Sequence, residues 1–272
     1  MELENFFAHY PLFSREEYTT FMNSQGKVNS NTQRELLAYH LKQGHIVKVR
    51  RGFYATVSRA ISDPKSMPVD GYLIAGRVTK DALLAYHSSL DFHGVAYSMY
   101  YTFYFHSHLV IKPFHYQGNE FRRCPFPKSL IASKQEMLAT KKEDRQGLDI
   151  NVTTLERTLV DVLDRPELGG GWEEIWRSLE MIATLDLDLV LEYALALENA
   201  TTIAKVGFFL ETHQNEFAVT DQYLTKLEHH IPRSKHYMDR KKNQQYHLIK
   251  RWNLLVPESV LEKIWEEPND FI

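Results

Sequence analysis

Ser30-Asn31-Thr32-Gln33-Arg34-Glu35-Leu36-Leu37-Ala38-Tyr39-His40-Leu41-Lys42-Gln43-Gly44-His45-Ile46-Val47-Lys48-Val49-Arg50-Arg51-Gly52-Phe53-Tyr54 is the stretch on which the fold turns. Ser30 and Gln33 stand in the Ser-x-x-Gln spacing of a capping box, which satisfies the free amides at a helix start. Leu36, Leu37, His40 and Leu41 then share one helical face, and Gly44 supplies a stop. A helix over about 31–43 is predicted, with Asn31, Thr32, Arg34, Glu35 and Lys42 on its other face. Ile46-Val47-Lys48-Val49 is β-branched and strand-like, Arg50-Arg51-Gly52 turns the chain, and Phe53-Tyr54-Ala55 returns. A helix followed at once by an arginine-tipped ribbon predicts a winged helix-turn-helix.

Upstream, Ser14 precedes Arg15-Glu16-Glu17-Tyr18, a cap followed by acids where the helix dipole favours them. A shorter helix from Leu3 to His9 ends before Pro11, so three helices precede the ribbon. Downstream, Ser58 to Gly71 carries Asp63, Pro64 and Pro68 without periodicity and reads as a linker. The expected organisation is a DNA-binding head over 1–57, a linker over 58–71 and a larger domain over 72–272. The expected fold class is α+β, the larger domain being mixed α/β with a small sheet and a helical body.

In that domain Asp70 is placed to cap a helix to about Val78, and a second helix is expected between Thr79 and Gly94. Ser98 to Val110 is rich in Tyr, Phe and Thr and is expected to be a strand. Phe114–Gln117 and Phe121–Phe126 read as strands joined by a Gly118-Asn119 turn, and Leu148–Val152 as another. A helix capped by Thr153 or Thr154 is expected to run to Leu163, followed by helices over 172–184, 188–198, 202–214 and 221–229. Short strands are expected at 247–249 and 254–256.

Charge divides along the same boundary. Residues 1–57 hold seven Lys and Arg against five Glu, a net +2, so the remainder carries −5 of the total of −3. A basic head on an acidic body suits an anionic partner for the head. In a duplex complex the start of a recognition helix meets base edges, which assigns Asn31, Thr32, Gln33 and Arg34 as base-reading candidates. Phosphates ask only for cations, which assigns Lys27, Lys42, Lys48, Arg50 and Arg51. The plainer alternative is that these side chains are a solvated face. Further basic groups at Lys128, Lys134, Lys141-Lys142, Arg145, Arg240-Lys241-Lys242 and Lys250-Arg251 are read first as solvated surface.

The same residues carry a family resemblance. The run from Leu36 to Tyr54 resembles the winged-helix head of AbiEi-type antitoxins of abortive-infection systems. Tyr72-Leu73-Ile74-Ala75, Asp81-Ala82-Leu83 and His87 through Gly94 are similar to the family's first helical block. Thr154-Leu155-Glu156-Arg157-Thr158-Leu159-Val160-Asp161, with Arg165-Pro166 and Gly169-Gly170, resembles its central signature. Lys205 through Glu211 and Arg251-Trp252-Asn253 resemble later landmarks. The resemblance spans about Phe13 to Pro257. It implies a transcriptional autorepressor that binds double-stranded operator DNA through the head. It also implies an antitoxin whose C-terminal domain counteracts a toxin of nucleotidyltransferase type. It assigns no C-terminal residue to that second role. The His- and aromatic-rich run from Met99 to Tyr116 departs from the family pattern.

Catalytic chemistry finds little support in the residues. His106-x-His108 would share a strand face, but no HExxH or cysteine-based set completes a metal site. Arg157 and Asp161 are spaced four apart, as in a helical ion pair worth a few tenths of a kcal/mol. Gly169-Gly170-Gly171 lacks the Lys-Ser or Lys-Thr of a phosphate loop and reads as a flexible link. Cys124, the one cysteine, has no designated base and cannot form an internal disulfide. A protein that is not an enzyme, with no cofactor and no bound metal, is expected. The acidic, polar start and the absence of a long apolar run lead to an expected cytoplasmic location without membrane contact. The runner-up is a transcription regulator that senses a small molecule in a pocket of its C-terminal domain.

Overall fold

The computed structural model describes residues 2–26, 29–58, 63–241 and 244–266. The chain is mixed α+β, with twelve α-helices and three sheets among the described residues. Its packing defines two compact units. One comprises Met1–Leu84, Tyr101–Arg123 and Lys142–Asn151; the other comprises Ala85–Tyr100, Cys124–Lys141 and Val152–Ile272. These units do not follow the 1–57, 58–71 and 72–272 split drawn from composition. Composition registers turn residues and charge, whereas strands far apart in sequence pair in space.

The first unit begins with α1 (Glu2–His9), β1 (Leu12–Ser14), α2 (Arg15–Ser24), α3 (Ser30–Lys42), β2 (Ile46–Arg50) and β3 (Phe53–Thr56). Ser14 caps α2 in a capping box. Its Oγ accepts from the Glu17 amide at 3.1 Å, and its own amide donates to the Glu17 carboxylate at 2.7 Å. Helix α3 starts one residue earlier than the sequence suggests. Asn29 is its cap, accepting from the Asn31 amide at 2.9 Å, so the expected Ser30–Gln33 box is not used. Strand β1 was not foreseen from periodicity, since three residues are too few to show one. It pairs antiparallel with β3, Leu12 opposite Ala55, giving the sheet order β1-β3-β2. Phe6, Phe13, Tyr18, Met22, Leu37, Ile46 and Tyr54 form the core beneath these elements.

The rest of this unit is a helix on a sheet. Asp70 caps α4 (Gly71–Arg77) through the Leu73 amide at 3.0 Å. The six-stranded sheet has the order β6-β7-β5-β4-β9-β8. Its strands are β4 (Leu83–Leu84), β5 (Thr102–His106), β6 (Phe114–Tyr116), β7 (Asn119–Cys124), β8 (Thr140–Arg145) and β9 (Leu148–Thr153). Several expectations are corrected here. Thr79 to Gly94 is not one helix, because Leu83-Leu84 pairs with Phe105 and His106 of β5 as a strand. The expected strand over 98–110 is regular only over β5. Residues Gln117 and Gly118, both at positive φ, turn the β6–β7 hairpin in place of Gly118-Asn119. Strand β8 lacks apolar alternation because it is an edge strand; Lys141, Lys142 and Asp144 are exposed along it.

The second unit is mainly helical. Its helices are α5 (His87–Phe92), α6 (Lys128–Ser133), α7 (Leu155–Asp164), α8 (Trp172–Glu180), α9 (Leu187–Ala196), α10 (Ala200–Thr212), α11 (Asp221–Glu228) and α12 (Glu258–Leu261). A small sheet joins β10 (His236–Tyr237), β12 (Leu254–Pro257) and β11 (Tyr246–Ile249) in that order, β10 being parallel to β12. The triple glycine is not a slack link. Gly170 has φ +92°, and a Cβ there would lie 2.6 Å from Glu174 Cγ and 2.8 Å from the Tyr100 hydroxyl. That is a packed turn which only glycine fits.

Helix α7 is the centre of this unit, with every residue from Arg157 to Leu163 buried. Arg157 and Asp161 form the expected i, i+4 pair at 3.3 Å, but at 0% and 2% side-chain exposure rather than on a surface. The guanidinium also donates to the carbonyls of Glu136 at 2.7 Å and Leu138 at 2.8 Å. Asp161 accepts the Tyr193 hydroxyl from α9 at 2.6 Å. Burial pushes the Asp161 carboxyl up to about 6, against the opposing pull of Arg157. A carboxyl with a folded pKa above its unfolded one binds its proton better in the folded state. It therefore subtracts stability as pH climbs from 3.8 to about 6, and subtracts none below that window. Replacement Arg157→Leu removes the balancing cation and is expected to cost about 3–5 kcal/mol near neutral pH. The cost should shrink near pH 5, where Asp161 can take up a proton, as read by urea denaturation at both pH values.

Candidate nucleic-acid interface

The two faces of α3 are sorted by what lies beneath it. Leu37 is buried in the core with Tyr18 and Met22, which turns Asn31, Thr32, Arg34 and Glu35 outward, all exposed. Arg34 Nη2 donates to Asn31 Oδ1 at 2.7 Å across one helical turn, which holds the two side chains together on the exposed face. Gln33 departs from its expected place among the base-reading side chains. It is 7% exposed, and its Nε2 donates to Asn23 Oδ1 of α2 at 2.8 Å. The Gln33 carbonyl in turn accepts the Tyr18 hydroxyl at 3.4 Å. Position 33 lies one turn before Leu37 and so falls on the inward face, a consequence of the 3.6-residue period.

The ribbon follows α3 directly. Strands β2 and β3 pair antiparallel with a bulge between Lys48 and Arg50, and Gly52, at φ +77°, closes the turn. Lys48 and Arg51 are exposed and make no ion pair with any other described residue; the same holds for Lys42 at the end of α3. Arg50 is different. It is half-buried, its guanidinium stands 5.0 Å over the Phe114 ring of β6, and burial lowers its pKa. A guanidinium in that position stacks on an aromatic face instead of reaching out from the tip. Lys27 lies outside the described residues.

At the junction of α3 and β2 the rings of His40 and His45 meet, with Nδ1 atoms 3.0 Å apart. Burial and the neighbouring His45 hold His40 below the ordinary imidazole range, so one ring donates and the other accepts. A cleft of about 750 Å³ elsewhere in this unit is lined in part by Glu16, Glu17, Arg77 and Lys80. Its charges are already paired, Arg77 with Glu17, Lys80 with Glu16 and Asp149 with Lys142, so it presents no bare charge to a ligand. Among the described residues no group of three or more His, Cys, Asp or Glu side chains is placed to hold a metal ion. His106 is buried on β5, whereas His108 lies beyond the strand and is exposed. Cys124 is buried at the end of β7.

The inward placement of Gln33 separates structure from recognition. Gln33→Ala removes the bond to Asn23, whose exposed amide oxygen can turn to water, and is expected to lower stability by about 0.5–1.5 kcal/mol. Thermal denaturation measures that loss.

No family model matches the chain, and none of the curated proteins matches it. Among solved structures the chain is similar to the crystal structure of the RV2827C protein from Mycobacterium tuberculosis. The two superpose with a TM-score of 0.56 at 14% identity, over 98% of this chain and 94% of that one. At that identity the likeness concerns the fold. Among the described residues no helix is long and apolar enough to cross a membrane.

Proposed function

We propose that the first three helices and the β2–β3 ribbon are a winged helix-turn-helix that binds double-stranded operator DNA, and that the chain is an autorepressor and antitoxin. The observation that supports the DNA-binding half is the outer face of α3. Asn31, Thr32 and Arg34 are exposed at the start of the helix, where a major-groove reader carries its base contacts. The ribbon behind them offers Lys48 and Arg51 with no carboxylate partner among the described residues. An unpaired cation costs nothing to detach before it meets a phosphate, whereas a paired one must first be freed. Arg50 is removed from the phosphate set, and Gln33 from the base-reading set.

The antitoxin half rests on the resemblance to AbiEi-type proteins, whose landmarks run through both units. In this reading the second unit supplies what counteracts a nucleotidyltransferase-type toxin, with the chain acting in the cytoplasm and without enzymatic activity of its own.

Two measurements test the reading. Arg51→Gln should weaken binding to all duplexes and reduce the slope of log K against log salt by about 0.9. An unchanged slope removes the ribbon from the interface. Arg34→Ala should instead narrow the gap between operator and random DNA, since a base contact is worth about 1–3 kcal/mol of discrimination. Equal losses on both duplexes would make Arg34 a backbone contact. For the antitoxin half, the full chain is co-expressed with the product of the neighbouring gene and growth is scored. Failure to restore growth rejects that half alone.

A further inference from the structure

The described cations of the head continue beyond the helix and the ribbon. A cleft of about 510 Å³ opens beside the α3–β2 junction. Its walls are Leu41, Ile46, Val47, Pro64 and Tyr116; Lys42, Lys48 and Lys65 stand around it, with one carboxylate, Asp63. The three lysines come from three segments: the last turn of α3, strand β2, and the 3-10 turn Pro64–Ser66 that the sequence marks as linker. All three are exposed, and none makes an ion pair with another described residue.

The third segment is pinned, not loose. Gln117, at the tip of the β6–β7 hairpin, donates through Nε2 to the Met67 carbonyl at 2.6 Å and accepts the Val69 amide through Oε1 at 3.0 Å. Asp63 caps the 3-10 turn through the Lys65 amide at 3.1 Å. Gly44 gives the turn a seat against the α3–β2 junction, since a Cβ there would come 2.5 Å from Pro64 Cγ. Each tether holds backbone, which leaves the Lys65 ammonium free to choose its partner. Three ammonium groups against the single Asp63 carboxylate leave the cleft net positive, and an anion placed among the lysines relieves their mutual repulsion.

We infer that this cleft is a phosphate site, and that its occupant is the sugar-phosphate backbone of the same duplex that α3 and the ribbon engage. The pinned turn with Lys65 then extends the interface past the ribbon, with Lys42 and Lys48 shared between the two parts. The inference rests on the DNA-binding reading above. It adds a residue from the supposed linker to the interface, and it makes the Gln117 tether a positioning element for that residue.

The test uses the full chain and a fluorescein-labelled random-sequence duplex two helical turns long, read by anisotropy across a salt series. One phosphate contact contributes about 0.9 to the salt slope, so Lys65→Gln should bind about eightfold more weakly near 0.1 M salt and converge on the unchanged protein near 1 M. Lys65→Arg should retain the wild-type slope. Because only the backbone of residue 65 is hydrogen-bonded, the melting temperature of Lys65→Gln should match the wild type. Lys226→Gln, which removes the same charge from an exposed lysine of the second unit, should leave the slope unchanged; an equal loss there would show a bulk-charge effect and overturn the inference. A normal slope for Lys65→Gln beside a reduced one for Arg51→Gln overturns it while leaving the DNA-binding reading standing. No binding of any duplex by the unchanged chain overturns both. Calorimetry with inorganic phosphate alone closes the test: heat that is lost in Lys65→Gln, with DNA binding intact, would make the cleft a site for a free anion and reject the duplex as its occupant.

Discussion

A guanidinium with no access to water must find its partners inside the protein, and Arg157 is such a group: Nε and Nη1 are bonded, while Nη2 has no hydrogen-bond partner among the described residues. Its demands organise the second unit. Asp161 answers from one turn along α7, the carbonyls of Glu136 and Leu138 answer from the segment after α6, and Tyr193 lies against it from α9 while bonding Asp161. A hydrophobic replacement of the whole set would fill the same space without such demands. The charged version has the property that displacing any one segment exposes a deficit in all the others. The Ser89, Thr153 and Thr158 hydroxyls form a second closed set beside it, bonded to one another at 2.7–2.9 Å. Buried polar sets of this kind rigidify a core when every member is satisfied.

In the first unit the equivalent constraint is apolar. The aromatic core under α3 fixes the helix's rotation about its own axis, and rotation decides chemistry. A shift of one position would bring Gln33 to the surface and send Arg34 inward. The polar end of α3 is thus defined by Leu37, Met22 and Tyr18, none of which is on the exposed face.

Much of this was legible in the sequence. The Ser14 cap and the Asp70 cap each announced a helix, because a short polar side chain before an apolar period has a single local use. The ribbon was equally plain from its β-branched run and Gly52. What escaped were elements defined by partners far along the chain. Strands β1, β4 and β10, each of two or three residues, have no period to read. Gln33 was misplaced because its amide side chain looks solvent-seeking, and only Asn23 in space shows otherwise. Lys65 is silent in the sequence, since a Pro-flanked lysine in an aperiodic stretch carries no signal; the tether that places it comes from Gln117, fifty-two positions on. The weight of Arg157 was underestimated for a related reason: spacing reveals that a pair forms, but burial decides what the pair is worth.

The six-stranded sheet ends in two very different borders. On one side β6 offers three residues; on the other, β8 runs six residues and pairs with no second strand among the described residues. A long edge strand invites the corresponding strand of another molecule to dock and to begin an ordered aggregate. Along β8 the side chains read Lys141, Lys142, Glu143, Asp144 and Arg145, so an incoming strand would have to strip water from ionised groups before gaining its first hydrogen bond. The dense charge on that strand therefore opposes edge-to-edge pairing between copies of the sheet.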